Sequence, residues 1–208
     1  MLGILHCGSG NVGSVINAFN YLGADSILVQ TPEHFEQCTR LVLPGVGSFR
    51  DAVQKLHHRN LVAGLQNFAM VSKKPVLGIC LGMQIMAETG LEGGETAGLG
   101  WFKGTVERIQ PTSAKERVPH VGWNELSIHR PHPLLEGIPD HADFYFVHSY
   151  SILLQDASSL VATCDYASGV TAIVAKGNIF AMQFHPEKSQ DHGIRILDNF
   201  LAWQPPPC

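Results

Sequence analysis

The first half of the chain alternates short apolar segments with amphipathic ones. Apolar runs of strand length lie at residues 2–5, 26–29, 41–43 and 75–79, and helical patterns lie at 12–21, 52–65 and 81–88. A strand, a helix and a further strand in succession form a βαβ unit, which places its strands in parallel and its helix on a face of the sheet. The sequence therefore predicts an α/β fold, with a doubly wound, largely parallel sheet and helices on both faces.

The second half is dominated by β-rich runs that turn residues separate. These runs lie at 104–109, 122–126, 144–147, 160–163, 171–175 and 179–183, and a helical pattern follows at 193–203. They predict an antiparallel β extension of the sheet. Because no repeat, low-complexity tract or linker interrupts the 208 residues, we expect a single domain spanning 1–208.

Composition excludes several classes of partner. The net charge of −4 provides no basic surface for nucleic acid or an anionic membrane. No window approaches the ~20 apolar residues of a membrane span. The five cysteines are scattered and odd in number, and the first residues lack the basic start of a signal peptide, so we expect free thiols in the cytoplasm. Without HExxH or CxxC motifs, we expect no metal site and no cofactor.

A GxGxxG motif at 8–13 follows the first predicted strand and opens the first predicted helix. In dinucleotide-binding proteins such a turn places pyrophosphate at the helix N-terminus, and an acid at the end of the second strand binds the ribose. Here the second strand ends in Val29, and the next acid is Glu33. We interpret the motif as a tight strand-to-helix turn, with a nucleotide-binding module as an alternative.

The segment GICLG at 78–82 places Cys80 between two glycines, where a predicted strand becomes a helix. In a nucleophile elbow, such a sharp turn exposes the nucleophile above the sheet, and the glycines avoid clashes. The adjoining helix N-terminus would also favour the thiolate. Packing is the alternative explanation, because cysteine is often a small buried residue.

A base and an orienting group for this nucleophile occur together near the other end of the chain. His185 follows the apolar run 179–183, and Glu187 lies two residues further on, so the two side chains of an extended segment point the same way. The carboxyl ends of strands are where α/β proteins place ligand-binding and catalytic residues. We therefore expect a Cys80–His185–Glu187 triad, with a solvent-facing loop histidine as the alternative.

An oxyanion hole would complete such a site. In elbow enzymes one N–H comes from the residue after the nucleophile, here Leu81, and a second comes from the loop after the third strand. That loop, 43–49, has Gly45 and Gly47 on either side of Val46, so its backbone is free to turn a peptide N–H toward the site. Three segments distant in sequence thus fit three roles of one mechanism.

These motifs together resemble the class I glutamine amidotransferases. The segments that carry the resemblance are GICLGMQ at 78–84, PGVGSF at 44–49 and QFHPEKS at 183–189. Within that family, three further segments are similar to the glutaminase subunits of imidazole glycerol phosphate synthase: GSGN at 8–11, VPHVGWN at 118–124 and YFVHSY at 145–150. The resemblance runs in order from 4 to 203 and implies the fold of that family.

The resemblance implies that the chain hydrolyses glutamine to glutamate and ammonia. Cys80 would attack the side-chain amide carbon, His185 would move the proton, and Glu187 would orient His185. The N–H groups of Leu81 and of a flipped Val46 would bind the oxyanion. The residues implied to hold the substrate are Gly47, Gln84, Glu92, Ser149 and Tyr150.

The resemblance also implies a protein partner, because ammonia released into neutral water is protonated and ceases to be a nucleophile. That partner is a (β/α)8-barrel cyclase, which forms a heterodimer with the glutaminase and makes imidazole glycerol phosphate and an aminoimidazole carboxamide ribotide in histidine biosynthesis. Asn11, Trp123, Tyr145 and Lys188 match family positions at the interface. Their alternative explanations are a helix cap, two core aromatics and a surface charge.

Other functions remain open from the sequence. A paralogous glutaminase would feed ammonia to a different acceptor, such as a sugar-modifying amidotransferase, and a thiol redox sensor would use Cys80 without Glu187. The chain also departs from the family pattern at His6-Cys7, where an acidic-aromatic pair is usual. We interpret Cys7 as structural, and the departure bears on the support of the loop 8–11 and on coupling to a partner.

Overall fold

The computed structural model describes residues 1–6, 8, 11–114 and 116–206. The strands in this part of the chain are β1 (Leu2–Leu5), β2 (Ser26–Val29), β3 (Arg40–Leu43), β4 (Val76–Ile79), β5 (Ala87–Gly90), β6 (Thr96–Ala97), β7 (Phe102–Arg108), β8 (His120–Ile128), β9 (Asp143–His148), β10 (Tyr150–Leu154), β11 (Leu160–Cys164), β12 (Val170–Lys176) and β13 (Ile179–Met182). The α-helices are α1 (Val12–Tyr21), α2 (Phe49–His58), α3 (Leu61–Gln66), α4 (Leu81–Gln84) and α5 (Gln190–Ala202). None of these helices is long and apolar enough to span a membrane.

The main sheet has nine strands in the order β2-β1-β3-β4-β13-β12-β11-β8-β9. Pairing from β2 to β13 is parallel, and pairing from β13 to β9 is antiparallel. The predicted fold, a parallel sheet with an antiparallel extension, is confirmed. Although it comes after all the other strands described above, β13 lies beside β4 in the middle of the sheet, which brings the C-terminal segment next to the elbow.

Side chains alternate between the faces of the main sheet, and each face buries its own core. In β4, Leu77 and Ile79 face the core that α1 and α5 cover, whereas Val76 faces the core that α2 and α3 cover. In β13, Phe180 faces the core under α1 and α5, and Ala181 faces the core under α2 and α3. Because neighbouring residues of a strand point to opposite faces, these continuous apolar runs are buried on both sides. Helices cover both faces, as predicted.

A second sheet of four strands, in the order β10-β7-β5-β6, packs on the side of α2 and α3. Its strands contribute Phe102, Val106 and Ile152 to that core. The sequence patterns do not predict this separate sheet. A single residue, Ser149, separates β9 of the main sheet from β10 of the second sheet.

The boundaries of the first elements agree with the sequence patterns, and the predicted helix at 52–65 is divided. The strands at 2–5 and 26–29 and the helix at 12–21 have the predicted limits. The pattern at 52–65 forms α2 and α3 instead of one helix, because Asn60 adopts a left-handed conformation with φ 56°.

The predicted helix at 81–88 is wrong beyond Gln84. The N–H groups of Leu99 and Trp101 donate to the carbonyls of Ile85 and Met86. Because these two carbonyls accept hydrogen bonds from the segment before β7, they are not available for further helical turns. The chain continues into β5 instead.

Candidate active site

Cys80 and His185 follow neighbouring strands at the same edge of the main sheet. The parallel register pairs Ile79 of β4 with Met182 of β13. The Cys80 N–H donates to the Met182 carbonyl at 2.8 Å, which extends this pairing beyond the end of β4. The parallel alignment therefore brings the segments after both strands together at the carboxyl end of the sheet, as the sequence predicts.

Cys80 occupies the sharp turn that the glycine pattern predicts. Its backbone has φ 52° and ψ −108°, a conformation that non-glycine residues rarely adopt, and it is 6% exposed. A Cβ on Gly82 would lie 1.7 Å from the Leu43 carbonyl oxygen, and a Cβ on Gly78 would lie 2.8 Å from the Ala181 Cβ. Close packing on both sides of the turn therefore requires glycine.

The helix that follows the elbow is shorter than predicted. Because α4 has four residues, few peptide dipoles add along its axis, and its effect on the thiolate is smaller than that of the predicted longer helix. Side chains around the sulfur therefore matter more for stabilising its negative charge.

His185 and Glu187 form a pair whose side chains are 0% exposed. The Nδ1–H of His185 donates to Oε1 of Glu187 at 2.7 Å, which fixes the ring and leaves Nε2 for the thiol. Asn11, the residue before α1, donates its Nδ2–H to the same oxygen at 2.5 Å. Asn11 Nδ2 and His185 Nδ1 are 3.3 Å apart, but both carry protons in this arrangement and form no hydrogen bond.

The pair carries opposite charges. Burial opposes charge on His185, but hydrogen bonds and charge from Cys80 and Glu187 outweigh it and raise the pKa of His185 to about 9. Burial also opposes charge on Glu187, but the hydrogen bond and charge of His185, with a hydrogen bond from Asn11, lower the pKa of this carboxyl group. At neutral pH an imidazolium thus lies beside a carboxylate.

A glutamine that the sequence analysis does not single out contacts the thiol. Gln183 is fully buried, and its Nε2–H donates to Cys80 Sγ at 3.5 Å. Its Oε1 accepts a hydrogen bond from Gln84 Nε2 at 3.0 Å. The N–H end of the Gln183 amide dipole therefore points at the sulfur. Gln183 follows the end of β13 and lies two residues before His185; in an extended chain this spacing predicts side chains on the same side, which is the sequence signal that could have identified it.

A pocket of about 150 Å³ includes Cys80 in its wall. Every residue predicted to bind the oxyanion or the glutamine lines this pocket: Val46, Gly47, Leu81, Gln84, Glu92, Ser149 and Tyr150. Val147 and His148 line it as well, and the sequence analysis assigns them no role. The structure thus brings together residues from several separate segments around one thiol.

Gln84 and Glu92 also bind parts of the protein itself. Gln84 Nε2 donates to the Tyr150 carbonyl at 2.9 Å in addition to Gln183, so its two N–H groups are engaged and its carbonyl oxygen can serve a ligand. Glu92 Oε2 accepts the Phe49 N–H at 2.7 Å, at the first residue of α2. Both side chains therefore help to hold the walls of the pocket.

The oxyanion hole is not assembled in this conformation. The Leu81 N–H donates to the Gly45 carbonyl at 3.4 Å, so the loop 43–49 engages one of the two predicted oxyanion donors. In the same loop Gly47 has φ 113°, which only glycine adopts readily. The loop has to turn before Leu81 can bind an oxyanion.

Three of the residues predicted at a partner interface lie together. Trp123 is edge-on to Tyr145 with ring centroids 5.9 Å apart, and Lys188 Nζ is 5.8 Å from the Tyr145 ring centroid. Trp123 is 44% exposed, which leaves a large apolar side chain accessible. The fourth residue, Asn11, contacts the Glu187 carboxylate and so belongs to the triad's surroundings as well.

Parts of the GxGxxG motif, Ser9 and Gly10, lie outside the described residues, as does Cys7. Within the described ranges, no group of three or more histidine, cysteine, aspartate and glutamate side chains could hold a metal ion.

Comparison with known proteins identifies the family of this chain. The family "Glutamine amidotransferase class-I" matches residues 4–203. An imidazole glycerol phosphate synthase subunit HisH of Pelagibacter ubique is 43% identical over 202 residues, which cover 95% of this chain and 97% of the relative. The subunit HisH of Geobacillus kaustophilus is 43% identical over 205 residues, which cover 97% of this chain and 96% of the relative.

Solved structures share the fold at lower identity. PurLQS from Thermotoga maritima superposes with a TM-score of 0.77 at 18% identity and covers 97% of each chain. A glutamine amidotransferase from the same organism superposes with a TM-score of 0.65 at 18% identity, covering 97% of this chain and 81% of that one. With a family match that spans 4–203 and relatives 43% identical over nearly their whole length, the chain belongs to the class I glutamine amidotransferase family.

Proposed function

We propose that the chain hydrolyses glutamine to glutamate and ammonia and supplies the ammonia to the cyclase of imidazole glycerol phosphate synthase. The observation that carries this proposal is the position of Cys80 in the wall of a small pocket, next to the His185–Glu187 pair. At about 150 Å³, the pocket is smaller than the roughly 300–1,000 Å³ of drug-sized sites and fits a small polar substrate such as an amino acid.

The first half-reaction transfers the acyl group to the enzyme. The His185 imidazolium holds the thiol proton on Nε2, and the Cys80 sulfur attacks the side-chain amide carbon of glutamine as the thiolate. The tetrahedral oxyanion binds the N–H of Leu81 and that of Val46 once the loop has turned. When the C–N bond breaks, His185 returns the proton to the leaving nitrogen, so ammonia departs and a thioester remains.

The second half-reaction releases glutamate. A water molecule gives one proton to His185 and attacks the thioester carbon, and the C–S bond breaks to leave the thiolate beside the His185 imidazolium. The carboxyl group formed on glutamate releases its proton to solvent. Throughout both steps Glu187 holds the imidazole in one orientation, while Asn11 fixes the carboxylate through a hydrogen bond. Gln183 stabilises the sulfur each time it becomes negative.

The His185–Glu187 pair predicts how the rate depends on pH. Because the pKa of His185 is raised to about 9, the imidazolium persists well above neutral pH and is lost as the pH rises through that value. We expect kcat/KM for glutamine to fall on the alkaline side with a midpoint near pH 9. In Glu187→Gln the carboxylate charge is gone, so this midpoint should move to lower pH. The same change at the exposed Glu36 is the control, and a midpoint that stays or rises in Glu187→Gln contradicts the assigned role.

A cyclase partner would receive the ammonia before water protonates it. The proposal that this partner is a (β/α)8-barrel in a heterodimer rests on the relatives, which are named as subunits of imidazole glycerol phosphate synthase. The exposed Trp123 and Lys188, packed around the half-buried Tyr145, support a docking surface at this end of the sheet. A different acceptor is not favoured, because these relatives match nearly the full length at 41–43% identity.

Lys188 is expected to contribute to this docking more than to the fold. Its exposed ammonium lies over the Tyr145 ring, and removing such a contact costs about 1 kcal/mol. We expect Lys188→Ala to lower the stimulation of glutamine hydrolysis by the cyclase about fivefold, with a melting temperature lowered by no more than about 4 °C. Lys103→Ala, at an exposed position on the second sheet, is the control. If stimulation is the same in both variants, Lys188 has no role in coupling.

Glutamate release from glutamine tests the function itself. The purified chain is assayed alone, then with the cognate cyclase, and then with the cyclase and its ribonucleotide substrate. We expect the rate to rise strongly in the full mixture. A complex that forms without any rise in rate would direct the search to another acceptor enzyme.

A further inference from the structure

Two buried imidazoles face each other across β8 and β9, and one of them, His148, lines the substrate pocket. His120 and His148 are register partners, and His120 Nδ1 lies 2.9 Å from His148 Nε2. They are 0% and 6% exposed. His120 is also held between the rings of Tyr166 and Phe146, with centroids 3.8 and 4.8 Å away, so its ring plane is fixed. The mechanism above uses neither imidazole.

The groups around these rings determine which nitrogen carries each proton. His148 Nδ1 lies 2.8 Å from the Tyr150 carbonyl oxygen, which can only accept, so Nδ1 carries the proton. Burial, more than the nearby His120 and His185, lowers the pKa of His148 to about 3, so the ring is neutral and its Nε2 accepts. His120 must then donate from Nδ1.

The chain of hydrogen bonds continues to an amide on β8. Burial lowers the pKa of His120 to about 4, so this ring is also neutral, and its Nε2 must accept. Asn124 Nδ2 lies 2.6 Å from that nitrogen and supplies the donor. Donation therefore runs in one direction from Asn124 through His120 and His148 to the Tyr150 carbonyl.

This chain of hydrogen bonds ends at the Tyr150 carbonyl, in a wall of the pocket. Ser149 and Tyr150 line the pocket at the passage from the main sheet to the second sheet. The Tyr150 carbonyl accepts from both His148 and Gln84, so two buried donors fix this peptide from behind. The first residue of the hydrogen-bond chain, Asn124, is next in sequence to the exposed Trp123.

We propose that the Asn124–His120–His148 chain is a positioning device, which fixes the Ser149–Tyr150 wall for the amino-acid end of the substrate. This inference rests on the proposed function for the identity of that substrate. Asn124 acts through the two imidazoles and is therefore a positioning residue, not a catalytic one. The hydrogen-bond chain depends on a donor at residue 124. Each neutral imidazole has only one proton, so each can donate once and must accept at its other nitrogen.

Asn124→Asp tests this dependence with almost no change of shape. A carboxylate can only accept, so a neutral His120 must donate to it from Nε2 and the hydrogen-bond chain reverses. His148 then donates from Nε2, and its Nδ1 has no proton for the Tyr150 carbonyl. We expect KM for glutamine to rise about tenfold, the size of one lost buried hydrogen bond, while kcat changes less than about twofold. The same substitution at the exposed Asn20 is the matched control and should leave both constants unchanged.

Nitrogen-15 NMR of ring-labelled histidine in the unmodified chain provides a measurement that needs no variant. Both His120 and His148 should be neutral and protonated on Nδ1 at neutral pH. A ring protonated on Nε2 or a charged ring at either position would overturn the proposal, as would an unchanged KM in a folded Asn124→Asp chain. If the unmodified chain does not hydrolyse glutamine even with its partner, the proposed function fails, which is a separate result.

Discussion

Replacing Cys80 with alanine is expected to abolish glutamine hydrolysis, with a loss of at least about 10⁴-fold in kcat. Without the sulfur no thioester forms, and nothing else at this position of the pocket can attack the amide carbon. Because the side chain is small and buried, alanine should leave the fold and the binding of the cyclase intact. Glutamate release measures the activity, and co-purification with the cyclase checks the complex.

Cys164→Ala is the matched control for this experiment. Cys164 is a fully buried cysteine in β11, and burial raises the pKa of its thiol to about 12, so it remains an unreactive thiol. This variant should lose some stability and keep its turnover. Near-native turnover in Cys80→Ala would remove Cys80 as the nucleophile, and loss of turnover in both variants would point to unfolding instead.

Gly82→Ala should cause the largest loss of stability among single methyl additions near the site. The added Cβ would lie 1.7 Å from the Leu43 carbonyl oxygen, and since both atoms belong to the backbone framework, β3 or the elbow must move. We expect the free energy of unfolding to fall by about 3 kcal/mol or more. The displaced elbow should also reduce turnover. Urea unfolding gives the stability, and glutamate release gives the activity.

Gly13→Ala is the control for Gly82→Ala, because each glycine is the second residue of its helix. Apart from the neighbouring residues and the backbone of α1 itself, no atom of the described residues lies within 4 Å of a Cβ built at Gly13. Alanine should therefore stabilise α1 by up to about 1 kcal/mol. Equal stability of the two alanine variants would mean that the space around Gly82 is not restricted as described.

Local features of the sequence predict the elbow and the histidine–glutamate pair well. Cys80 between glycines and Glu187 two residues after His185 are patterns that span a few residues. The segment predicted to be extended after His185 is instead a 3₁₀ turn at Pro186–Lys188, which still brings Glu187 to the His185 ring. The helix 12–21 has the predicted limits for the same reason, because its apolar spacing and flanking glycine turn are local. The distance between these features cannot be predicted in this way, because it depends on β13 pairing with β4.

The second sheet escapes prediction because only β7 has a local signal, the β-rich run at 104–109, and that run is expected in the extension of the main sheet. β5 consists of Ala87, Glu88, Thr89 and Gly90, a segment with little preference for strand, and it is extended because it pairs with β7. β10 follows β9 after one residue, so no turn residues indicate that the chain enters another sheet. The His120–His148 contact is hidden for a related reason, since it depends on the register between two strands.

The central place of β13 has a consequence for synthesis on the ribosome. A nascent chain completes the elbow at Cys80 early, but its base and carboxylate are translated only much later. Until β13 inserts between β4 and β12, the parallel and antiparallel parts of the sheet are not joined, and this step needs contacts distant along the chain. An unfinished polypeptide therefore carries the Cys80 thiol without His185 and Glu187. We expect it not to hydrolyse glutamine before synthesis is complete.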